Sequence, residues 1–115
     1  MDKMTDRELL ELAAKAAGLS YTKPAEGYGG AFWLDVGENP MRTQLWNPLS
    51  DDEDAHRLAV DLMLSVEHIE GQDDFFACVA SPDEKIVVNQ DYEDDKYAAT
   101  RRAIVLAAAE IGRDV

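Results

Sequence analysis

No helix can pass through Asn47-Pro48. Proline has no backbone N–H to donate, and its ring drives the preceding residue out of the helical region. Two residues on, Ser50-Asp51-Asp52-Glu53 reads as a capping box: the Ser50 side chain accepts from first-turn amides and Glu53 reaches back. Such a cap stabilises a helix start by about 1 kcal/mol. Asp51, Asp52 and Glu53 also stand where the helix dipole favours negative charge. Ala55, Leu58, Ala59, Leu62 and Met63 then recur on one apolar face, with Asp54, Arg57 and Asp61 off it. The spacing predicts an extended segment that turns at Pro48 into an amphipathic helix over 50–64, with Trp46 and Leu49 packing beneath it. Trp46 and Asn47 are also the residues of this turn whose chemistry suits direct contact with a ligand.

A second capping box, Thr5-Asp6-Arg7-Glu8, opens the chain's first helix, expected over 6–17. Leu9, Leu12, Ala13 and Ala16 mark its apolar face, and Gly18 its stop. Residues 19–23, 31–36 and 41–46 read as strands, the last two forming a hairpin across Gly37-Glu38-Asn39-Pro40. Pro24 leads into a loop with Gly27, Gly29 and Gly30 around Tyr28. Residues 65–70 alternate weakly, with Val66 and His68 on one face. Phe75-Phe76-Ala77-Cys78-Val79-Ala80 is apolar on both faces, which predicts a central strand covered on both sides. A short turn at Ser81-Pro82-Asp83-Glu84 makes 85–89 its antiparallel neighbour.

The acidic loop Asp91 to Asp95 caps a last helix over 96–111, with Gly112 as its stop. That helix is apolar nearly all round, the mark of a buried or interface helix. Its alanines allow close approach, so a homodimer through this face is expected. These elements predict a single α+β domain over 1–115, with 1–4 frayed. Its architecture would be an α-β-α sandwich: one antiparallel-rich sheet of about four to six strands with helices on both faces.

Charge narrows function. Twenty-four acidic against eleven basic side chains give −13 over 115 residues. Phosphate backbones are bound by Lys and Arg, so nucleic-acid binding is not expected. An acidic surface favours solubility and also suits a partner with a basic surface. Cys78 is the single cysteine, which excludes an intrachain disulfide and fits a reducing compartment. No basic and apolar leader pattern opens the sequence, and no apolar run is long enough for a membrane span. A cytoplasmic protein is expected.

Trp46-Asn47-Pro48-Leu49-Ser50-Asp51-Asp52, followed by Asp54-Ala55 and Arg57-Leu58-Ala59-Val60, resembles the signature of the phage ABA-sandwich domain family. Tyr97-Ala98-Ala99-Thr100-Arg101-Arg102-Ala103-Ile104, continuing to Gly112, is similar to that family's last helix. The resemblance covers about 32–112. Glu53 stands where glycine is common in the family, which strengthens the cap. The resemblance implies an α-β-α sandwich encoded by tailed phages or prophages and acting in the bacterial host's cytoplasm. It brings no agreed activity and no catalytic residues.

Motifs for chemistry are sparse. His56 and His68 are twelve apart, without the i, i+4 spacing of a zinc helix. A calcium loop starting at Asp91 meets Lys96 and Arg102 where it needs glycine and glutamate, and one starting at Asp51 fails at His56 and Leu62. Cys78 sits in an apolar strand, where a thiol is usually inert. The serines lack an elbow motif, and Gly27-Tyr28-Gly29-Gly30 lacks the lysine and hydroxyl of a phosphate loop. No catalytic, metal or cofactor site is expected. Arg57, Arg101 and Arg102 are helix cations whose forks suit phosphate or carboxylate. Converging near Trp46 or Tyr28, they would hold a small anion such as a nucleotide; otherwise they pair with nearby acids, Arg57 with Asp61 and Arg101 with the Asp91 to Asp95 loop. The leading expectation is a non-catalytic phage accessory protein that binds a host, or host-defence, protein through its acidic surface. A small-anion binder and an acidic DNA mimic are the alternatives.

Overall fold

The computed structural model describes residues 5–19, 21–24, 32–35, 43–72 and 75–113. The loops around Tyr28 and Gly37 and the chain's first four residues, all read above from the sequence, lie outside them. Helix α1 spans Asp6–Ala17, strands β1 to β3 span Tyr21–Pro24, Phe32–Asp35 and Thr43–Trp46, and α2 spans Asp52–Asp61. Strands β4 to β6 follow at Ser65–Glu70, Phe75–Ala80 and Val87–Asp91, and α3 closes the series at Lys96–Arg113. The protein is α+β, as the alternation of patterns predicts. The described strands do not form one sheet. They divide into two antiparallel three-stranded sheets, β1-β2-β3 and β4-β5-β6, each strand pairing with its sequence neighbour. Short connections favour such local pairing.

The helix ends follow capping chemistry, with two shifts. Thr5 caps α1, accepting from Glu8 N at 3.2 Å, and Gly18 closes it at φ +69°, with Leu19 N donating to Ala14 O. The cap of α2 is Asp51, not Ser50: its carboxylate accepts from Glu53 N at 2.8 Å and Asp54 N at 3.1 Å. The turn at Pro48 sets this. Ser50 N and Asp51 N both donate to Asn47 O, so Ser50 belongs to the turn. The helix stops at Asp61, where Met63 takes φ +54° and Leu64 N closes on Ala59 O. Asp95 caps α3, accepting from Tyr97 N and Ala98 N.

Helix α3 is the hub. It packs against α1, α2, β5 and β6. Ala77 and Val79 of β5 have no exposed surface, and strand register puts Val66 and His68 of β4 and Val88 of β6 on the same face as they are. β5 is central in its sheet, as expected, but of its two faces only that of Ala77 and Val79 is fully buried; Phe76, Cys78 and Ala80 on the other are half-buried. Ala99, Ala103, Ala107 and Ala108 of α3 are buried with Leu9, Leu10, Ala13 and Ala14 of α1 in one core. Helix α1 thus covers part of α3 within the chain. Gly112 is not a stop. It lies inside α3, where a Cβ would sit 2.0 Å from Leu12 O, and the helix continues to Arg113.

The β5–β6 turn is built on Ser81 and Asp83. Ser81 Oγ donates to Asp83 Oδ1 at 2.6 Å and accepts from Ile86 N, while Asp83 Oδ1 also accepts from Lys85 N. The Ser81 hydroxyl, foremost, holds the Asp83 carboxyl below its ordinary value. A lowered folded-state pKa contributes stability above the ordinary pKa of about 4, and that contribution is lost as pH falls through the folded value. Asp83→Asn is accordingly expected to be less stable than the parent at neutral pH, with the difference closing in acid. Urea titrations across that range measure it, and a difference independent of pH would rule out the carboxylate's role.

Candidate functional site

Trp46 and Asn47 are both buried. Trp46 is 4% exposed and lies in the core, with Leu49 half-buried against it. Asn47 N donates to Asp54 Oδ2 at 2.9 Å, and Asn47 Oδ1 accepts from Leu49 N at 3.0 Å. Pro48 is fully buried between them. Burial, foremost, pushes the Asp54 carboxyl above its ordinary value; the Asn47 N–H acts against this, and the Asp51 and Glu53 carboxylates add to it. The sign follows: a raised folded-state pKa favours folding in acid, and that advantage is lost as pH rises through the folded value. Asp54→Asn keeps an acceptor for Asn47 N–H and removes the buried charge, so it is expected to match or exceed the parent's stability at neutral pH. Asp54→Ala leaves that buried N–H without its acceptor and is expected to cost about 1–3 kcal/mol. Paired urea titrations of the two variants measure this; equal losses in both would show that the charge, not the acceptor, matters.

The three arginines do not converge. Arg57 projects from the exposed side of α2 and pairs with Glu53 at 3.0 Å, not with Asp61. Both side chains are largely in water, where such a pair contributes only about 0.3–0.5 kcal/mol. Arg102 reaches Asp6 of α1 at 3.3 Å. Arg101 lines the cleft between α2 and α3. Its Nε donates to Leu49 O at 3.0 Å and its Nη1 to Asp52 Oδ1 at 2.6 Å, so its partner is the start of α2 and not the Asp91 to Asp95 loop. The side chain is 17% exposed.

That cleft, of about 520 Å³, opens over β4 between α2 and α3. From α2 it takes Asp52, Ala55, His56 and Ala59, which share one helix face at i, i+3, i+4 and i+7. From β4 come Val66, His68 and Glu70, alternate residues of the face that meets the helices. From α3 come Tyr97, Thr100, Arg101 and Ile104, with Lys96 and Tyr92 just before them. His68 Nδ1 and the Tyr92 hydroxyl lie 2.7 Å apart. With the phenol donating, the imidazole proton sits on Nε2 and remains available. Lys96 Nζ stands 5.7 Å from the centre of the Tyr97 ring, within cation–π range.

The cleft's formal charges balance, Lys96 and Arg101 against Asp52 and Glu70, in a chain of net charge −13. It is thus far less negative than the surface around it. No sequence motif marks His56, His68, Tyr92 or Lys96 as site residues; the cleft lining brings them together. Among the described residues, no group of three or more histidine, cysteine or acidic side chains is placed to hold a metal ion. No described helix is long and apolar enough to cross a membrane. No family model, curated protein or solved structure matches the chain.

Proposed function

We propose that the protein is a non-catalytic binding module and that the α2–β4–α3 cleft is its binding site. The observation that carries this is Arg101. Two contacts fix its guanidinium at the cleft wall, while Nη2 keeps no partner among the described residues. A half-buried cation held ready, beside apolar Ala55, Ala59, Val66 and Ile104, is the combination that small-molecule sites use: an apolar lining with a few placed polar groups. The volume lies within the roughly 300–1,000 Å³ of such sites. Fragment screening by ¹H–¹⁵N NMR tests the reading. Ligands that shift the amides of Val66, His68 and Arg101 together would bear it out, and hits scattered elsewhere would count against it.

A second reading keeps the acidic surface as the working face, with a basic protein of a bacterial host as partner. It is favoured by the exposed carboxylates at the start of α2, Asp51, Asp52 and Glu53, and by those of Glu93, Asp94 and Asp95. Phage origin and the full α-β-α sandwich belong to this reading. Its structural support is the sheet face turned away from the helices, where Ile69 and Val87 are exposed and Phe76 and Cys78 half-buried, a surface suited to a further layer. Retention of a host protein on the tagged chain, lost at high salt, is the expected result.

A further inference from the structure

We propose that the ligand of the cleft is a small, flat organic monoanion, an aromatic carboxylate, with its carboxylate on Arg101 and Lys96 and its ring against the apolar walls; this rests on the cleft being the binding site. The two cations stand five residues apart in the first turns of α3, and both line the cleft. Arg101 presents Nη2 with its side chain already immobilised, so little ordering entropy opposes the contact. The apolar lining comes from Ala55 and Ala59 on α2, Val66 on β4 and Ile104 on α3 itself. A slot walled by methyl groups from two helices and a strand suits a ring better than a branched or strongly hydrated body. The exposed Tyr97 ring, 63% accessible beside Lys96, adds an aromatic edge.

Charge decides between anions. Arg101 is already half-neutralised by Asp52, and Glu70 also lines the cleft. With the four formal charges of the lining balanced, the cleft holds no surplus of positive charge, and an anion is met by hydrogen bonds from Arg101 and Lys96 rather than by net charge. A phosphate dianion would bring a second negative charge into a protein of net charge −13, against long-range repulsion that salt screens only beyond about 8–10 Å. A carboxylate monoanion avoids that second charge and matches the guanidinium's hydrogen-bond geometry.

The test titrates the full chain with 2-naphthoate, with 2-naphthalenemethanol as its neutral counterpart and with 2-naphthyl phosphate as the dianion, followed by calorimetry and ¹H–¹⁵N NMR. Naphthoate is expected to bind with the amides of Val66, His68 and Arg101 shifting, and about tenfold more tightly than either of the others, the loss of roughly one charge-assisted hydrogen bond. Arg101→Gln should abolish that preference. Because Arg101 also ties α2 to α3, Lys96→Gln serves as a second variant on an exposed residue, and should weaken naphthoate several-fold while leaving the alcohol unchanged. If the alcohol or the phosphate binds in the cleft as tightly as naphthoate, the monoanion proposal is overturned and the cleft stands as the binding site. If none of the three shifts cleft resonances, both fail.

Discussion

Gly112→Ala is expected to lower the protein's stability by about 2–3 kcal/mol, although helix propensity alone predicts a gain of roughly 1 kcal/mol. Gly112 lies inside α3, where alanine is the better helix former. An added Cβ there would meet Leu12 O at 2.0 Å and Leu12 C at 2.8 Å. Those are backbone atoms of α1, so no side-chain rotation relieves the clash. Either α1 moves as a body away from α3, opening the alanine contacts of Ala103, Ala107 and Ala108, or α3 unwinds at its end. Thermal denaturation of the variant should show a midpoint roughly 10 °C lower, at about 4 °C per kcal/mol for a domain of this size. A raised midpoint would mean that α1 and α3 do not approach closely at Gly112 and that propensity governs the site.

Leu10→Ala should cost about 2–5 kcal/mol, the range for a buried leucine that leaves a cavity. Leu10 has no exposed surface and sits in the core cluster, whereas Leu12 is half-buried at its margin. Leu12→Ala is therefore expected to cost clearly less. The comparison matters because the sequence pattern places Leu12 on the apolar face and passes over Leu10. With Leu9, Leu10, Leu12, Ala13, Ala14, Ala16 and Ala17 all apolar, more than one stripe of α1 can be drawn. Denaturant unfolding of both variants decides which stripe faces α3. A larger loss for Leu12→Ala would reverse the packing described here. Total stability of a single domain is about 5–15 kcal/mol, so Leu10→Ala alone removes a substantial part.

The cleft shows what pattern reading reaches and where it stops. Asp52, Ala55, His56 and Ala59 are legible as one face of a helix, Val66, His68 and Glu70 as one face of a strand, and Tyr97, Thr100, Arg101 and Ile104 as one side of the last helix. Periodicity is a property of each element alone, so these stripes can be drawn without coordinates. Their meeting cannot. His68 and Tyr92 are twenty-four residues apart, and Arg101 reaches Asp52 across forty-nine. Local pairing misassigned both arginines: Arg57 has an acid four residues away on either side and takes Glu53 rather than Asp61, whereas Arg101 pairs with Asp52 because the start of α2 faces α3.

The features legible from residue pattern are local. The break at Pro48, the caps at Thr5 and Asp95, the αL stop at Gly18, the strands β4 and β5 and the meander that joins β5 to β6 all rest on interactions within a few residues. The division of six strands into two sheets, the choice of Asp51 over Ser50 as cap, the role of Gly112 as a helix crossing and the convergence on the cleft emerge only once the chain is packed. Each of these depends on a contact between residues distant in the chain or on a turn's full hydrogen-bond set. There the deciding energy comes from excluded volume and paired polar groups, which composition and period do not encode.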